Sequence, residues 1–479
     1  MDYRFLFLLF FCSGALADNQ DTEFRLQQEV EQQQKAQEEQ LIEKDQFLTT
    51  MMINHQEIGI GNNIEEVLTA LFLAINHKQT DDIERLLAIY QTMPEAEEGM
   101  ITFSLANIAF NRGDTKKAIQ LYEKLVKTDN DFLRGKLDLA RLYFFDYQNK
   151  ESHQLFSEIN LSESPSLMEK VNEFQLSLDN REDWHGSFSL GAIYHSNLNQ
   201  SANKTTEWVV NTPFWGEITT IRHSPQVIKS HGLGFEGALN KYTAIKNHHG
   251  IMFKGSANGE FFQNHSFYNE HYFSLGLGYR YKNQRHQVDI YPLSEASYTN
   301  NQWYSTRQGI QAEYSQDIGD DAYFSFTLSY KNERYREHNL KIYNGNIASV
   351  FLFSAYALPH DWVIFGGLDY LQKNGTEDKS DQYERKGLRL GINKAFDIGL
   401  DLTLSVNYRK TDYRQYSELL SEKRHDKEYF YSANLKFPKL SFYGITPQLS
   451  LSRTQVKSNV DWLYNYNNHE IGLWFEKRF

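Results

Sequence analysis

Cysteine is almost missing from these 479 residues, and the one that occurs is Cys12, close to the start. A chain with no other cysteine has no disulfide framework and no thiol chemistry, so its stability must come from packing and strand closure. Long apolar runs are missing too. After the N-terminus no stretch reaches the roughly 20 consecutive apolar residues of a membrane helix. That excludes a helical membrane protein but not a barrel, whose strands alternate lipid-facing and lumen-facing side chains and so average out as polar. The mean hydropathy is −0.61. Positive charge is also short. The formal net charge is −13, and without a basic stripe to neutralise phosphates nucleic acid is not expected as a partner.

What is abundant is aromatic: 15% of the chain, with 30 Tyr and 33 Phe. Such an excess suits a membrane barrel, where rings gather at both interfaces. The length exceeds one ordinary hydrophobic core and predicts two domains. At the N-terminus, Arg4 precedes an apolar run from Phe5 to Cys12, and Ala15-Leu16-Ala17 stands ahead of Asp18. This is the layout of a secretory signal peptide over 1–17, cleaved between Ala17 and Asp18. Phe11 is too large for the position before a lipidated Cys12.

Three segments follow. Residues 18–63 are rich in Gln and Glu, with nine acids against three bases between Asp18 and Asp45 and only scattered apolar positions (Phe24, Leu26, Val30). Gln, Glu and Lys favour helix, but so thin an apolar stripe does not fasten a helix to a core. A solvated, partly helical tether is expected. From 64 to 183 the period becomes helical and repeats at 34 residues: Leu105-Ala106 returns as Leu139-Ala140, and Tyr122 as Phe156. Small residues at Ala106, Ala118 and Ala140 let paired helices approach, with Tyr122 and Phe156 filling the space between pairs. This predicts an all-α domain resembling tetratricopeptide repeats.

From 184 to 479 the period is two. Phe188, Leu190, Ala192 and Tyr194 alternate with Ser187, Ser189 and Gly191, and the rhythm recurs to the end of the chain. The turn signals divide it into about 14 strands of a transmembrane antiparallel β-barrel, with 199–230, 371–383 and 409–427 as extracellular loops. The last strand places Ile471, Leu473, Phe475 and Phe479 on one face. With Gly472, Phe475 and the terminal Phe479, it resembles the signal read by the barrel insertion machinery. An exposed apolar edge must pair, and the strand near 186–195 is its expected partner.

Chemistry is sparse. His248-His249 is expected in a solvated turn, and Asp320-Asp321 in a Gly-Asp turn. His195-Ser196-Asn197 has the residue types of an outer-membrane phospholipase, but three successive residues at a strand end do not form a catalytic constellation. Gly-Leu-Gly at 232–234 and 276–278 falls within strands, so neither is a phosphate loop. No catalytic residue, metal ligand set or cofactor is expected, and the client-binding residues are not readable.

A helical-repeat domain followed by a barrel that opens with Tyr194-His195-Ser196-Asn197-Leu198-Asn199, contains Trp303-Tyr304-Ser305-Thr306-Arg307-Gln308-Gly309 and ends in Glu476-Lys477-Arg478-Phe479 resembles the surface lipoprotein assembly modulator (Slam) family, the outer-membrane component of type XI secretion. The resemblance implies a translocon in the bacterial outer membrane with its N-terminal domain in the periplasm. It implies export of a specific client, a surface lipoprotein or a soluble secreted protein, often one concerned with haem or metal capture. The insertion machinery, outer-membrane lipids and periplasmic chaperones are the other implied partners. A polysaccharide export porin and a passive porin or adhesin are the alternatives. The acidic segment 18–63 lies outside what the resemblance explains.

Overall fold

The computed structural model describes residues 19–42, 63–159, 164–212, 216–418 and 420–479. The expected cleavage position at Ala17 and Asp18 lies outside the described residues.

Eight helices precede the first strand among the described residues: α1 (Asn19–Ile42), α2 (Ile64–Asn76), α3 (Thr80–Tyr90), α4 (Glu98–Asn111), α5 (Thr115–Thr128), α6 (Leu133–Phe145), α7 (Asn149–Glu158) and α8 (Pro165–Arg181). Helices α2 to α7 form three consecutive pairs at the spacing read from the sequence. Local chemistry starts them: the Asn63 side chain accepts from the Glu66 N–H (2.9 Å), and Asp114 accepts from the Lys117 N–H (3.0 Å), each satisfying an orphan donor of a first turn. Each pair is joined through one residue with left-handed backbone: Lys78, Gly113 and Tyr147, with φ 55°, 79° and 58°. Glycine takes this conformation freely, whereas a side chain there costs roughly 1 kcal/mol.

One apolar core runs from Val67 to Leu142, and a second joins Ala140, Phe144 and Phe156 to Val171, Phe174 and Leu178 of α8. Ala106, Ala118, Tyr122, Leu139, Ala140 and Phe156 are all buried in them. Leu105 departs from the expected packing set and is 39% exposed. Successive residues sit about 100° apart around a helix, so with Phe103 and Ala106 facing inward Leu105 turns outward.

The remaining chain forms β1 (Trp184–His195), β2 (Thr205–Thr212), β3 (Gly216–His223), β4 (Ser230–Lys246), β5 (His249–Phe261), β6 (Glu270–Lys282), β7 (His286–Thr299), β8 (Gln302–Ile318), β9 (Ala322–Tyr335), β10 (Gly345–Leu358), β11 (Trp362–Asn374), β12 (Tyr383–Phe396), β13 (Leu400–Tyr413), β14 (His425–Lys436), β15 (Ile445–Ser458) and β16 (Tyr466–Arg478). Strands β2 and β3 make a separate hairpin within the first long loop. The other fourteen close into one antiparallel barrel, with β1 bonded to both β4 and β16. An outward row that includes Leu275, Leu277, Ile310, Leu328, Leu390 and Val406 is exposed, as lipid contact requires. The strands extend further than the loop signals suggest: β11 continues to Asn374 and β13 to Tyr413. The loops therefore begin only at 375 and 414, because polar residues keep alternating beyond the apolar band.

The seam between β1 and β16 runs from Ser187 opposite Arg478 to His195 opposite Glu470. Ile471, Leu473, Phe475 and Phe479 are exposed on its outer face. Gly472 faces inward, and a Cβ there would strike the Trp474 indole and Ser450. The same indole lies against Gly191 of β1 and Gly234 of β4, where a Cβ would also collide with it, and its Nε1 donates to Ser450 Oγ of β15 (3.0 Å). One side chain thus straps four strands across the closure. Lys477 Nζ donates to the Tyr443 carbonyl (2.7 Å).

Candidate functional site

The inward row of the barrel is densely charged. Arg280 makes two bonds to Asp289 (2.7 Å each), Lys254 contacts Glu313 (2.6 Å) and Asp289 (3.1 Å), and Arg307 and Lys373 meet at Glu333 (2.7 and 3.0 Å). Lys331 pairs with Glu295. Removed from bulk water, such groups persist only when paired and hydrogen-bonded.

The occupant of that lumen is α1. Its 24 residues span roughly 36 Å at 1.5 Å per residue, comparable with the ~30 Å apolar core of a bilayer. Its side chains touch wall strands all around the ring. Arg25 pairs with Glu236 of β4, and Gln27 Nε2 donates to the Gly255 carbonyl of β5 (3.2 Å). Ser274 of β6 donates to Glu23 (2.5 Å), and Gln28 donates to Tyr323 of β9 (3.3 Å). Asp21 holds both Arg389 of β12 and Arg409 of β13, while Glu29 faces Lys436 of β14 (3.7 Å). Only a helix inside a closed barrel can reach so many strands. Its few apolar residues find apolar spots: Phe24 packs edge-on to Phe351 and Phe353 (centroids 4.5 and 5.6 Å apart), and Leu26 and Val30 pack on Ala238.

The structure therefore replaces the solvated tether expected over this segment with a buried helix, for 19–42. A thin apolar stripe excludes burial against a hydrocarbon core, but not inside a wall that is itself polar. A cavity of about 100 Å³ beside α1 is lined by residues such as Phe24, Glu31, Lys254 and Tyr323. That is smaller than an ordinary small-molecule pocket, so this space beside α1 does not admit a polypeptide while α1 is in place.

Arg181, the last residue of α8, joins lumen helix and repeats. Its guanidinium bonds Glu38 of α1 through Nε (2.9 Å) and Nη2 (3.1 Å). Nη1 donates to the Phe144 carbonyl (2.8 Å) and Asn149 Oδ1 (2.9 Å). Its plane lies 3.8 Å from the Phe144 centroid and 4.3 Å from that of Tyr147, a cation–π arrangement. Burial alone would raise the Glu38 carboxyl, but Arg181, Lys282 and Lys35 together outweigh it and hold the group below its ordinary value. Tyr147 also receives Lys282 of β6 over its ring (4.1 Å). These contacts account for a tyrosine held in left-handed backbone.

The repeats also seat on the turn between β4 and β5. The Asn247 N–H donates to Glu151 (2.8 Å), and His248 Nε2 lies 2.8 Å from Asp146. His248 is thus half-buried at an interface rather than in the solvated turn expected for it. Asp320-Asp321 does occupy an exposed turn. Since β1 begins and β16 ends at the mouth where the repeats dock, that mouth faces the periplasm.

At the other end, His195-Ser196-Asn197 staples the seam. Asn468 Oδ1 accepts from the Asn197 N–H (2.9 Å), and Ser196 Oγ accepts from the His469 N–H (2.7 Å). Three strands bring His195, Glu260 and Glu470 together, their candidate ligand atoms within 4.8 Å of one another; residues so distant in sequence leave no spacing signal. With its oxygen committed to Asn197, Asn468 offers its amide to His195 Nδ1 (3.1 Å). The ring proton then belongs on Nε2, 3.2 Å from Glu260. That tautomer makes the trio an internal polar cluster; a metal at Nε2 would require Asn468 to turn round and abandon Asn197.

Comparison with known proteins yields the following. The family described as surface lipoprotein assembly modifier matches residues 184–479, and its N-terminal TPR repeats match 52–156. The chain is 31% identical to the hemophilin secretion modulator of Acinetobacter baumannii, covering 98% of this chain and 97% of that one. It is 24% identical to surface lipoprotein assembly modifier 1 of Haemophilus influenzae, covering 86% and 84%, and 23% identical to surface lipoprotein assembly modifier 2 of Neisseria meningitidis serogroup B, covering 82% and 83%. Among solved structures, OprD of Pseudomonas aeruginosa aligns with a TM-score of 0.34 at 9% identity over 62% of this chain and 95% of that one, too low to carry an argument about cargo.

Proposed function

The chain belongs to the surface lipoprotein assembly modifier family, whose members modulate assembly and secretion at the outer membrane, and we propose that it moves one specific client protein from the periplasm to the outside through the lumen of its barrel. The observation that carries this reading is the seating of the repeats on the periplasmic mouth through Arg181, Glu151 and Asp146. Stacked helix pairs offer an extended surface for an incompletely folded chain, and the barrel supplies a polar path through a layer that otherwise excludes unsatisfied backbone. In this reading the leader over 1–17 is removed after Ala17, and 18–63 supplies the lumen helix and its connection to the repeats. Gly472, Phe475 and Phe479 direct insertion, with periplasmic chaperones and outer-membrane lipids as accessory partners. No residue is assigned a catalytic role.

For the client, the likeness to the hemophilin secretion modulator supports a soluble secreted protein concerned with haem, because it covers nearly all of both chains. A lipidated surface protein is the other outcome. Comparing surface and culture-supernatant proteomes with and without the gene tests the proposal. One protein should disappear from one fraction and return on complementation with the full chain, but not with a chain lacking 64–181. Unchanged proteomes, with loss of a surface polysaccharide or of general solute permeability instead, would refute it.

A further inference from the structure

The helix in the lumen meets the wall in an ordered way. Four of its acids face basic groups: Asp21 holds Arg389 and Arg409, Glu29 faces Lys436 (3.7 Å), Glu31 lies 3.4 Å from Lys254 and 3.5 Å from Arg280, and Glu38 is bonded by Arg181. The two described bases of the helix meet acids, Arg25 at Glu236 and Lys35 at Asp317 (2.7 Å). The apolar contacts between them are few. A plug meant to stay would be fastened by apolar area, which does not depend on what else enters the lumen. A helix fastened by exchangeable ion pairs is held by contacts that another acidic segment can take over one for one.

We propose that the lumen wall is a receptor for acidic helical segments, that α1 is its resting occupant, and that an acidic segment of the client displaces α1 during passage. The proposal rests on the reading of the barrel as a protein passage. Displacement by a segment of like charge exchanges one set of ion pairs for another. The wall cations therefore keep partners throughout, and the equilibrium shifts only by the difference in affinity between the two occupants. A neutral or basic segment would not replace the carboxylates that α1 adds to the wall's own partners for those cations, such as Asp289, Glu313, Glu428 and Glu476, and would compete poorly. The cavity of about 100 Å³ beside α1 is too small for a second segment, so entry and displacement are the same event. The Arg181–Glu38 contact gives the repeats a hold on the inner end of the helix, so a client seated on the repeats starts the displacement from the periplasmic side.

Two measurements on the full-length protein test this. In the first, cysteines replace Val30 and Ala238, which pack together, and a short cleavable bismaleimide joins them in cells. Cross-linking, read as a mobility shift on a gel, should lower client export at least tenfold, and reductant should restore it. Export within twofold of the uncross-linked protein would overturn the proposal. In the second, Asp21→Lys, Glu29→Lys and Glu31→Lys together expel α1, which should raise single-channel conductance in planar bilayers severalfold. A synthetic peptide of native sequence 19–42 should close that conductance, while the same peptide with Asn and Gln in place of its acids should not. Equal block by both peptides, or unchanged conductance in the variant, would overturn it. The conductance measurement uses no client, so its failure is distinct from the failure of the export reading.

Discussion

Replacing Arg181 with Met should uncouple the lumen helix from the repeats without disturbing the barrel. Arg181 is 6% exposed and makes four hydrogen bonds, two to the Glu38 carboxylate, one to the Phe144 carbonyl and one to Asn149. Methionine keeps most of the stem packing and removes the charge, leaving Glu38 buried beside Tyr147. Removing one partner of a buried pair costs roughly 3–5 kcal/mol, chiefly because the other charge is stranded. At about 1.4 kcal/mol per tenfold, local opening of the C-terminal half of α1 should become two to nearly four decades more frequent. Hydrogen exchange in detergent micelles reads this directly: amides near 33–42 and 177–181 should lose protection while those of β8 to β14 keep theirs. Adding Glu38→Gln should recover much of the loss by removing the stranded charge. Exchange of α1 within threefold of the parent in the single variant would refute the role given to Arg181.

Three further outcomes follow from particular side chains. Ala106→Leu should overpack the repeat core and cost about 1–3 kcal/mol, whereas Leu105→Ser, at an outward position, should stay within about 0.5 kcal/mol; thermal unfolding followed at 222 nm separates them. Trp474→Ala should remove the strap across the seam at a cost of roughly 3–5 kcal/mol, lowering the temperature at which the folded band converts to the unfolded band on a gel, while Phe475→Ala, on the lipid face, should lower it less. Glu38 is held below its ordinary value of 4.5, so its contribution is fully present above that value and is lost as pH falls through the depressed one. The protection this contact gives α1, read as the difference between the parent and Glu38→Gln after correction for intrinsic exchange rate, should therefore be flat from pH 5.5 to 8 and decline only below about pH 4.5.

The strands and helix pairs were legible because their signals are local. Alternation in Phe273 to Tyr281 or Leu402 to Tyr408 needs only neighbours along the chain, and the repeat shows itself in Leu105-Ala106 and Leu139-Ala140. Even so, Leu105 was misplaced, because recurrence shows that a position is used without showing which way it faces. The lumen helix was not legible. Arg25, Glu29 and Lys35 have the composition of a solvated surface, and their partners Glu236, Lys436 and Asp317 lie more than two hundred residues further on. Separation along the chain also hid the cluster of His195, Glu260 and Glu470, whose members lie on three different strands. Hydrophobic patterning reports burial against apolar surroundings and is silent about burial in a polar wall.

The central claim, passage through the lumen, is tested most directly by site-specific photo-cross-linking in cells that export the client. Ser329 and Leu328 are neighbours on β9; the first is buried in the lumen wall and the second is exposed on the outer face. A benzophenone side chain at position 329 should capture the client during export, and one at 328 should not. Capture at neither position, or equally at both, while export continues would contradict the claim.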